Sequence, residues 1–194
     1  LRTLDRRLAS VRGLISPAEA RRLADLAERA PTYSVVEIGS HTGLSTLWLA
    51  SYSSSRVFAV DPWLDPRPGS RDDPFALETG DAVLAEFLEN VDRFGLGSRI
   101  VPLRTTSLEL ATTWLAPIGL LFVDAIHTED AVRADLDAWL PFVVPGGYVA
   151  LHDYDSNPDG EYHGVAIVAD ELATSPSWSL EPLVDSLWTA RRIE

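Results

Sequence analysis

The chain has 194 residues, which favours one domain with a sizeable core, and its 46% hydrophobic and 23% charged residues are ordinary for a globular protein. It holds no cysteine, which excludes disulfides, thiolate metal sites and thiol nucleophiles, and all 16 basic residues are arginine, which excludes a P-loop lysine and Schiff-base chemistry. The net charge of −13 argues against a nucleic-acid partner, no apolar run is long enough to span a bilayer, and the lack of a signal-peptide pattern makes the cytoplasm the expected compartment.

Residues 1–15 read as a short helix or arm, with Leu4, Leu8 and Val11 at helical spacing. Ser16-Pro17-Ala18-Glu19 is a capping box with proline at the first helical position. The helix it opens is predicted to run to about Ala30, with Leu23, Leu26 and Ala27 inward, and Pro31 ends it. Residues 1–30 are thus expected to form an N-terminal helical arm or cap, either covering a cofactor crevice or packing plainly on a sheet, ahead of a main domain over 31–194. Its seven arginines against four acids read as a solvated helix face.

The first strand is predicted over about 34–38, followed by the loop Gly39-Ser40-His41-Thr42-Gly43 and a helix over about 43–52. Gly39 allows a tight turn, and Gly43 lets the helix start approach a ligand. The dinucleotide fingerprint needs three glycines; this loop has two, spaced G-x-x-x-G, and Glu37 would repel a pyrophosphate. A ligand with an amino group and no phosphates suits it better. The second strand, Arg56 to Val60, ends in Asp61, 24 residues after Glu37, where an acid holds a ribose diol. Trp63 is placed to lie against an adenine or a substrate.

Residues 64–74 form a loop dense in turn residues, either mobile or part of a substrate wall. A helix follows from about Phe75 or Gly80 to Phe94, and the third strand is Arg99 to Leu103. Thr105-Thr106-Ser107 comes next: its hydroxyls either reach an adenine, or Ser107 or Thr106 caps a helix over Leu108–Leu115. The fourth strand, 118–123, ends in Asp124, with His127 three residues on and Thr128 as the N-cap of a helix buried through Val132, Leu136, Trp139 and Leu140. Pro145-Gly146-Gly147 is read as a turn, Tyr148–Leu151 as the fifth strand, and His152-Asp153 as its end. After the polar loop Tyr154–Gly160 come a helix around Val165–Ala173 and two strands, Trp178–Val184 and Leu187–Arg192, in an antiparallel hairpin.

This order predicts a Rossmann-like, doubly wound, mostly parallel α/β sheet with helices on both faces and a C-terminal antiparallel hairpin. Ligands in such sheets bind at strand carboxyl ends, where Glu37, Asp61, Ser107, Asp124 and Asp153 all fall. Asp124-x-x-His127 and His152-Asp153 would face each other from neighbouring strands. Hard oxygen donors suit Mg²⁺, whereas His152 suits Mn²⁺, Fe²⁺ or Zn²⁺.

Four runs together resemble the class I S-adenosylmethionine (SAM)-dependent O-methyltransferases: Val35 to Thr46, Phe58 to Trp63, Phe122 to His127, and Pro145 to Tyr154. The group most similar is the metal-dependent one of the macrocin and mycinamicin sugar O-methyltransferases and the cephalosporin-biosynthesis methyltransferase, over about residues 14–170. The resemblance implies that Glu37, Gly39 and Gly43 surround the methionine part of SAM, with Ser40 and Ser45 in the same loop. It implies Asp61 at the ribose, Ser107 on the adenine side, and Asp124 and Asp153 as metal-ligand carboxylates. His127 matches a catalytic base, and His152 stands where an acid is often found. Trp63 and Asp124 complete the expected cofactor contacts, Asp124 also counting with His127 as catalytic. The implied partners are SAM, a divalent metal such as Mg²⁺ and a small-molecule acceptor, a sugar or catechol-like hydroxyl. A homo-oligomer stays open. The competing readings are a nicotinamide-dependent oxidoreductase and a non-catalytic SAM-binding protein.

Overall fold

The computed structural model describes residues 3–64, 79–160 and 162–194. The predicted loop over 64–74, and the start of the following helix at Phe75, lie outside the described residues save for Leu64. The helices are α1 (Thr3–Leu8), α2 (Pro17–Arg29), α3 (Leu44–Tyr52), α4 (Gly80–Arg93), α5 (Ser107–Ala111), α6 (Glu129–Trp139) and α7 (His163–Ala173). The strands are β1 (Ser34–Ile38), β2 (Val57–Val60), β3 (Ile100–Leu103), β4 (Ile118–Val123), β5 (Val143–Leu151), β6 (Trp178–Leu180) and β7 (Trp188–Arg192). They make one seven-stranded sheet in the order β3-β2-β1-β4-β5-β7-β6. The first five are parallel, and β7 pairs antiparallel with both β5 and β6. No helix among the described residues is long and apolar enough to cross a membrane.

Alternation along the strands builds two cores. Leu120, Phe122, Tyr148 and Ala150 face one way, onto Leu23, Leu26, Leu47, Trp48 and Phe87 from α2, α3 and α4. Leu121, Val123, Val149 and Leu151 face the other way, onto Val132, Leu136, Trp139 and Val165 from α6 and α7. A strand sends successive side chains to opposite faces, so a sheet covered on both sides must be apolar at every position; β4 is buried throughout. Each fully buried Leu, Val or Phe contributes roughly 1.5–3 kcal/mol.

Three predicted boundaries move. The helix expected over Leu108–Leu115 ends at Ala111, because Thr112 and Thr113 turn their hydroxyls back onto the Glu109 and Leu110 carbonyls. The fifth strand begins at Val143, not Tyr148: Val143 pairs with Ile118, and a register shift between Ile118 and Leu120 absorbs Pro145-Gly146-Gly147. In the hairpin, the strand expected over Trp178–Val184 stops at Leu180; Pro182 offers no N–H, and the Val184–Leu187 bridge closes the turn.

The strand order reverses between β1 and β4, and there the two strand ends touch. Asp124 N–H donates to the Ile38 carbonyl at 2.8 Å. Gly39 has φ +90°, and a Cβ on it would lie 1.9 Å from the Asp124 carbonyl oxygen. One step back along β1, Glu37 is fully buried and accepts from the Thr46 hydroxyl on α3. Burial, with a smaller push from the nearby Asp124 charge, raises its carboxyl to about 7, against the pull of the Ser45, Thr46 and Ser40 hydroxyls.

Gly39→Ala should destabilise the fold by about 3 kcal/mol or more, through positive-φ strain and collision with backbone; a melt like the wild type's would contradict it. For Glu37 the folded state holds its proton more tightly than the usual 4.5, so the wild type loses stability as pH rises from about 4.5 to about 7. Glu37→Gln escapes that loss. Its advantage over the wild type should be nil near pH 4 and on the order of 3 kcal/mol at pH 8, measured by urea melts across pH.

Candidate active site

A cavity of about 490 Å³ opens at the carboxyl ends of β1, β2 and β4. Gly39, Ser40, Ser45, Asp61, Ser107 and Asp124 all line it. So do Gly13, Leu14 and Ile15, which link α1 to α2, so this connector borders the crevice. The volume is within the range of pockets that hold a small molecule or cofactor.

The loop is held from below. Asp61 accepts the His41 N–H at 2.9 Å through one oxygen and the Trp63 N–H at 2.8 Å through the other. His41 and Trp63 both have positive φ, a rare state for bulky residues, and those two bonds help hold them there. Thr106 is the N-cap of α5, in a capping box with Glu109, which leaves the neighbouring Ser107 hydroxyl to donate to Asp135 of α6. Asp135 also lines the cavity, and burial raises its carboxyl above the usual range despite that hydroxyl.

Three residues expected to touch a cofactor are not in the cavity wall. Trp63 is the clear correction: its indole is buried edge-on against Phe87 and donates to the His41 carbonyl at 3.0 Å, so it supports the loop from behind. Glu37 stands behind the loop, tied to Thr46. Gly43, also at positive φ, is the N-cap of α3 and packs against Phe87.

At the neighbouring ends of β4 and β5 the cluster read from the sequence does assemble. Oδ1 of Asp124 and Oδ2 of Asp153 each lie 3.2 Å from His152 Nδ1. His127 Nε2 is 3.1 Å from Asp153 Oδ2 and 3.8 Å from Asp124 Oδ1. Asp153 takes a positive φ of 59°, the kind of local strain that clusters at functional sites. The His127 ring meets Tyr162 edge to face at 4.6 Å. Asp124 belongs both to this cluster and to the cavity wall.

The electrostatics follow from packing acids and imidazoles together out of water. Burial pushes the Asp124 and Asp153 carboxyls up, but the two histidines outweigh it and hold both below the usual range. Burial alone would lower His127, yet Asp124 and Asp153 raise it to about 9. His152 is likewise held well above its ordinary value by Asp124, Asp153 and Glu19 against its burial. Uncompensated, the pair of aspartates keeps both rings protonated at neutral pH.

Glu19 is the residue the sequence did not reveal. The capping box is present, yet its glutamate also reaches His152 Nε2 at 3.2 Å and accepts from the Ser186 N–H and hydroxyl. Burial raises this carboxyl, but bonds from His152, Ser16 and Ser186 bring it down to about 2. No spacing signal links position 19 to position 152; only the docking of α2 beside β5 and the hairpin turn does.

The donor set suits a divalent cation. Two carboxylate oxygens and one ring nitrogen, from Asp124, Asp153 and His152, lie within 4.8 Å of one another. Mixed O and N donors of this kind are met in Mn²⁺, Fe²⁺ and Zn²⁺ sites, and the carboxylates alone would suit Mg²⁺.

Residues 36–154 match the family model described as "Methyltransferase domain". Solved structures share the fold. An O-methyltransferase from Bacillus cereus in complex with SAH superposes with TM-score 0.70 at 18% identity, over 98% of this chain and 87% of that one. The O-methyltransferase NovP gives 0.70 at 17%, over 93% and 81%. A methyltransferase from Geobacter sulfurreducens gives 0.66 at 17%, over 93% and 82%. With a glycine-bend crevice at the β1–β4 reversal and a family match over more than half its length, the chain belongs to the methyltransferase domain family and has the fold of the SAM-dependent O-methyltransferases.

Proposed function

We propose that the chain moves the methyl group of SAM to a hydroxyl of a small molecule, a sugar or a catechol-like phenol, with Asp124, Asp153 and His152 holding a divalent metal, Mg²⁺ or a softer ion, and His127 taking the hydroxyl proton. One observation carries the reading: Asp124 is at once a wall of the crevice and a member of the carboxylate–imidazole cluster. Methyl donor and acceptor activation would thereby be neighbours. The family match leaves the nicotinamide reading without support.

In the proposed roles Gly39, Ser40 and Ser45 border the methionine part of SAM, Asp61 the ribose, and Ser107 the adenine side; Glu37, from behind the loop, supplies negative charge to a cationic cofactor. The reaction is an in-line displacement: the carbon–sulfur bond of the sulfonium breaks as the carbon–oxygen bond forms. Much of the rate can come from holding the two centres in line. The sulfonium loses its positive charge on the way, so an acidic surround suits the bound cofactor.

A hydroxyl attacks well only as its proton leaves. His127 Nε2 faces Asp153 and Asp124, and in their uncompensated field it keeps its own proton at neutral pH. It accepts a substrate proton only once that field is offset. Asp124, Asp153 and His152 would hold a divalent ion whose charge would offset the carboxylates and polarise a hydroxyl oxygen. Tyr162, edge-on to His127, limits the orientations the ring can take.

The test is transfer of a tritiated methyl group from SAM to a panel of sugars and catechols. Wild type should label an acceptor, EDTA should abolish the transfer, and added Mg²⁺ or Mn²⁺ should restore it. His127→Ala should bind SAM as the wild type does in calorimetry but turn over about 10²–10⁴-fold more slowly. Undiminished turnover in that variant would remove His127 from the base role, and SAM binding without transfer to any acceptor would favour a non-catalytic protein.

A further inference from the structure

We infer that Glu19, the buried carboxylate in the first turn of α2, is a positioning residue for the proposed cation site, fixing His152 so that Nδ1 is the ring nitrogen offered beside Asp124 and Asp153. The inference rests on the proposed cation at those residues, and goes beyond it by assigning the nitrogen donor and the group that aims it.

A capping-box glutamate normally serves one backbone N–H. Glu19 serves that one, from Ser16 at 2.7 Å to Oε2, and makes three further contacts. Oε1 accepts the Ser186 N–H at 2.9 Å and the Ser186 hydroxyl at 2.8 Å, and Oε2 faces His152 Nε2 at 3.2 Å. With Glu19 2% exposed and donors arriving from both ends of the chain, this carboxylate has no room to swing away. His152 is 5% exposed, so its ring has no solvent-facing alternative either.

The consequence is a choice of tautomer. An imidazole whose Nε2–H donates to a fixed carboxylate presents its lone pair at Nδ1, the arrangement by which acids orient metal-binding histidines. Here Nδ1 lies 3.2 Å from each aspartate oxygen. Neighbouring ligands on one ion at bonds of about 2.1 Å are themselves about 3 Å apart, so these two nitrogen–oxygen spacings, which a hydrogen bond from Nδ1 also fits, are compatible with a shared coordination shell. His127, by contrast, faces the same aspartates through Nε2.

Mn²⁺ alone, added to the full chain, is the probe, read by electron paramagnetic resonance for affinity and by electron spin echo modulation for directly bound nitrogen. The wild type should bind Mn²⁺ with a nitrogen signal that persists in His127→Ala and disappears in His152→Asn. In Glu19→Gln the side-chain amide can present an N–H to Nε2 and draw the ring proton to Nδ1. Affinity should then fall about 10–100-fold, with the nitrogen signal weakened or lost. Ser16→Ala removes the cap hydroxyl of α2 but leaves Glu19 in place; it should lower the melting temperature while keeping wild-type affinity and nitrogen signal. Mn²⁺ bound without a nitrogen signal overturns this inference alone. So does a Glu19→Gln variant that keeps wild-type affinity and signal, or a Ser16→Ala variant that loses as much as Glu19→Gln. Failure to bind Mn²⁺ at all overturns the cation reading together with it.

Discussion

The carbonyl oxygen of Asp124 occupies the space where residue 39 would otherwise carry a side chain. This one contact sets much of the rest. It lets β1 and β4 run side by side to their ends, with Asp124 N–H bonded to Ile38. It opens the glycine bend into a crevice at the point where strand order reverses, the usual place for a ligand in an open α/β sheet. It also fixes the Asp124 backbone, so that the side chain projects between the crevice and the end of β5. A site at two neighbouring strand tips needs their relative height defined to a fraction of an ångström, and a collision-limited contact between backbones defines it better than side-chain packing does.

Around that frame the chain concentrates buried charge. Glu37, Asp124, Asp153 and Glu19 are all removed from bulk water to some degree, and their fates differ by partner. Glu37 has only hydroxyls and the unfavourable Asp124 for neighbours, and its carboxyl is pushed up. Asp124, Asp153 and Glu19 have histidine, and theirs are pulled down. The result is a graded acidic region: a carboxyl poised near neutrality behind the glycine loop, and a permanently ionised cluster beside it. The proposed occupants, a cationic cofactor on the crevice side of the loop and a cation within the cluster, would relieve both. Such an arrangement also suits a protein with a net charge of −13, whose field favours cations over phosphates.

Most of the architecture was legible because it is written in local pattern. Apolar runs of strand length gave β1, β2, β3 and β4 to within a residue, and the capping box at Ser16 and the Thr128 cap placed α2 and α6. What escaped depends on tertiary contact. The early start of β5 rests on a bulge opposite Gly119, a compensation invisible in either strand alone. Trp63 reads as a ligand platform because it follows the ribose acid, yet the positive φ it adopts turns its ring inward to Phe87. At the site, the Asp124, His127, His152 and Asp153 quartet was legible because strand ends converge in this topology. Glu19 was not, since its local role as a cap already accounts for its presence.

The crevice and the carboxylate–imidazole cluster share Asp124 and are proposed to be one site. Crystals grown with SAH and Mn²⁺ and measured at the manganese absorption edge test it most directly. SAH should lie in the crevice beside Gly39 and Asp61, with one anomalous peak within bonding distance of Asp124, Asp153 and His152 Nδ1. SAH bound in that crevice with no anomalous peak at those three residues would contradict it.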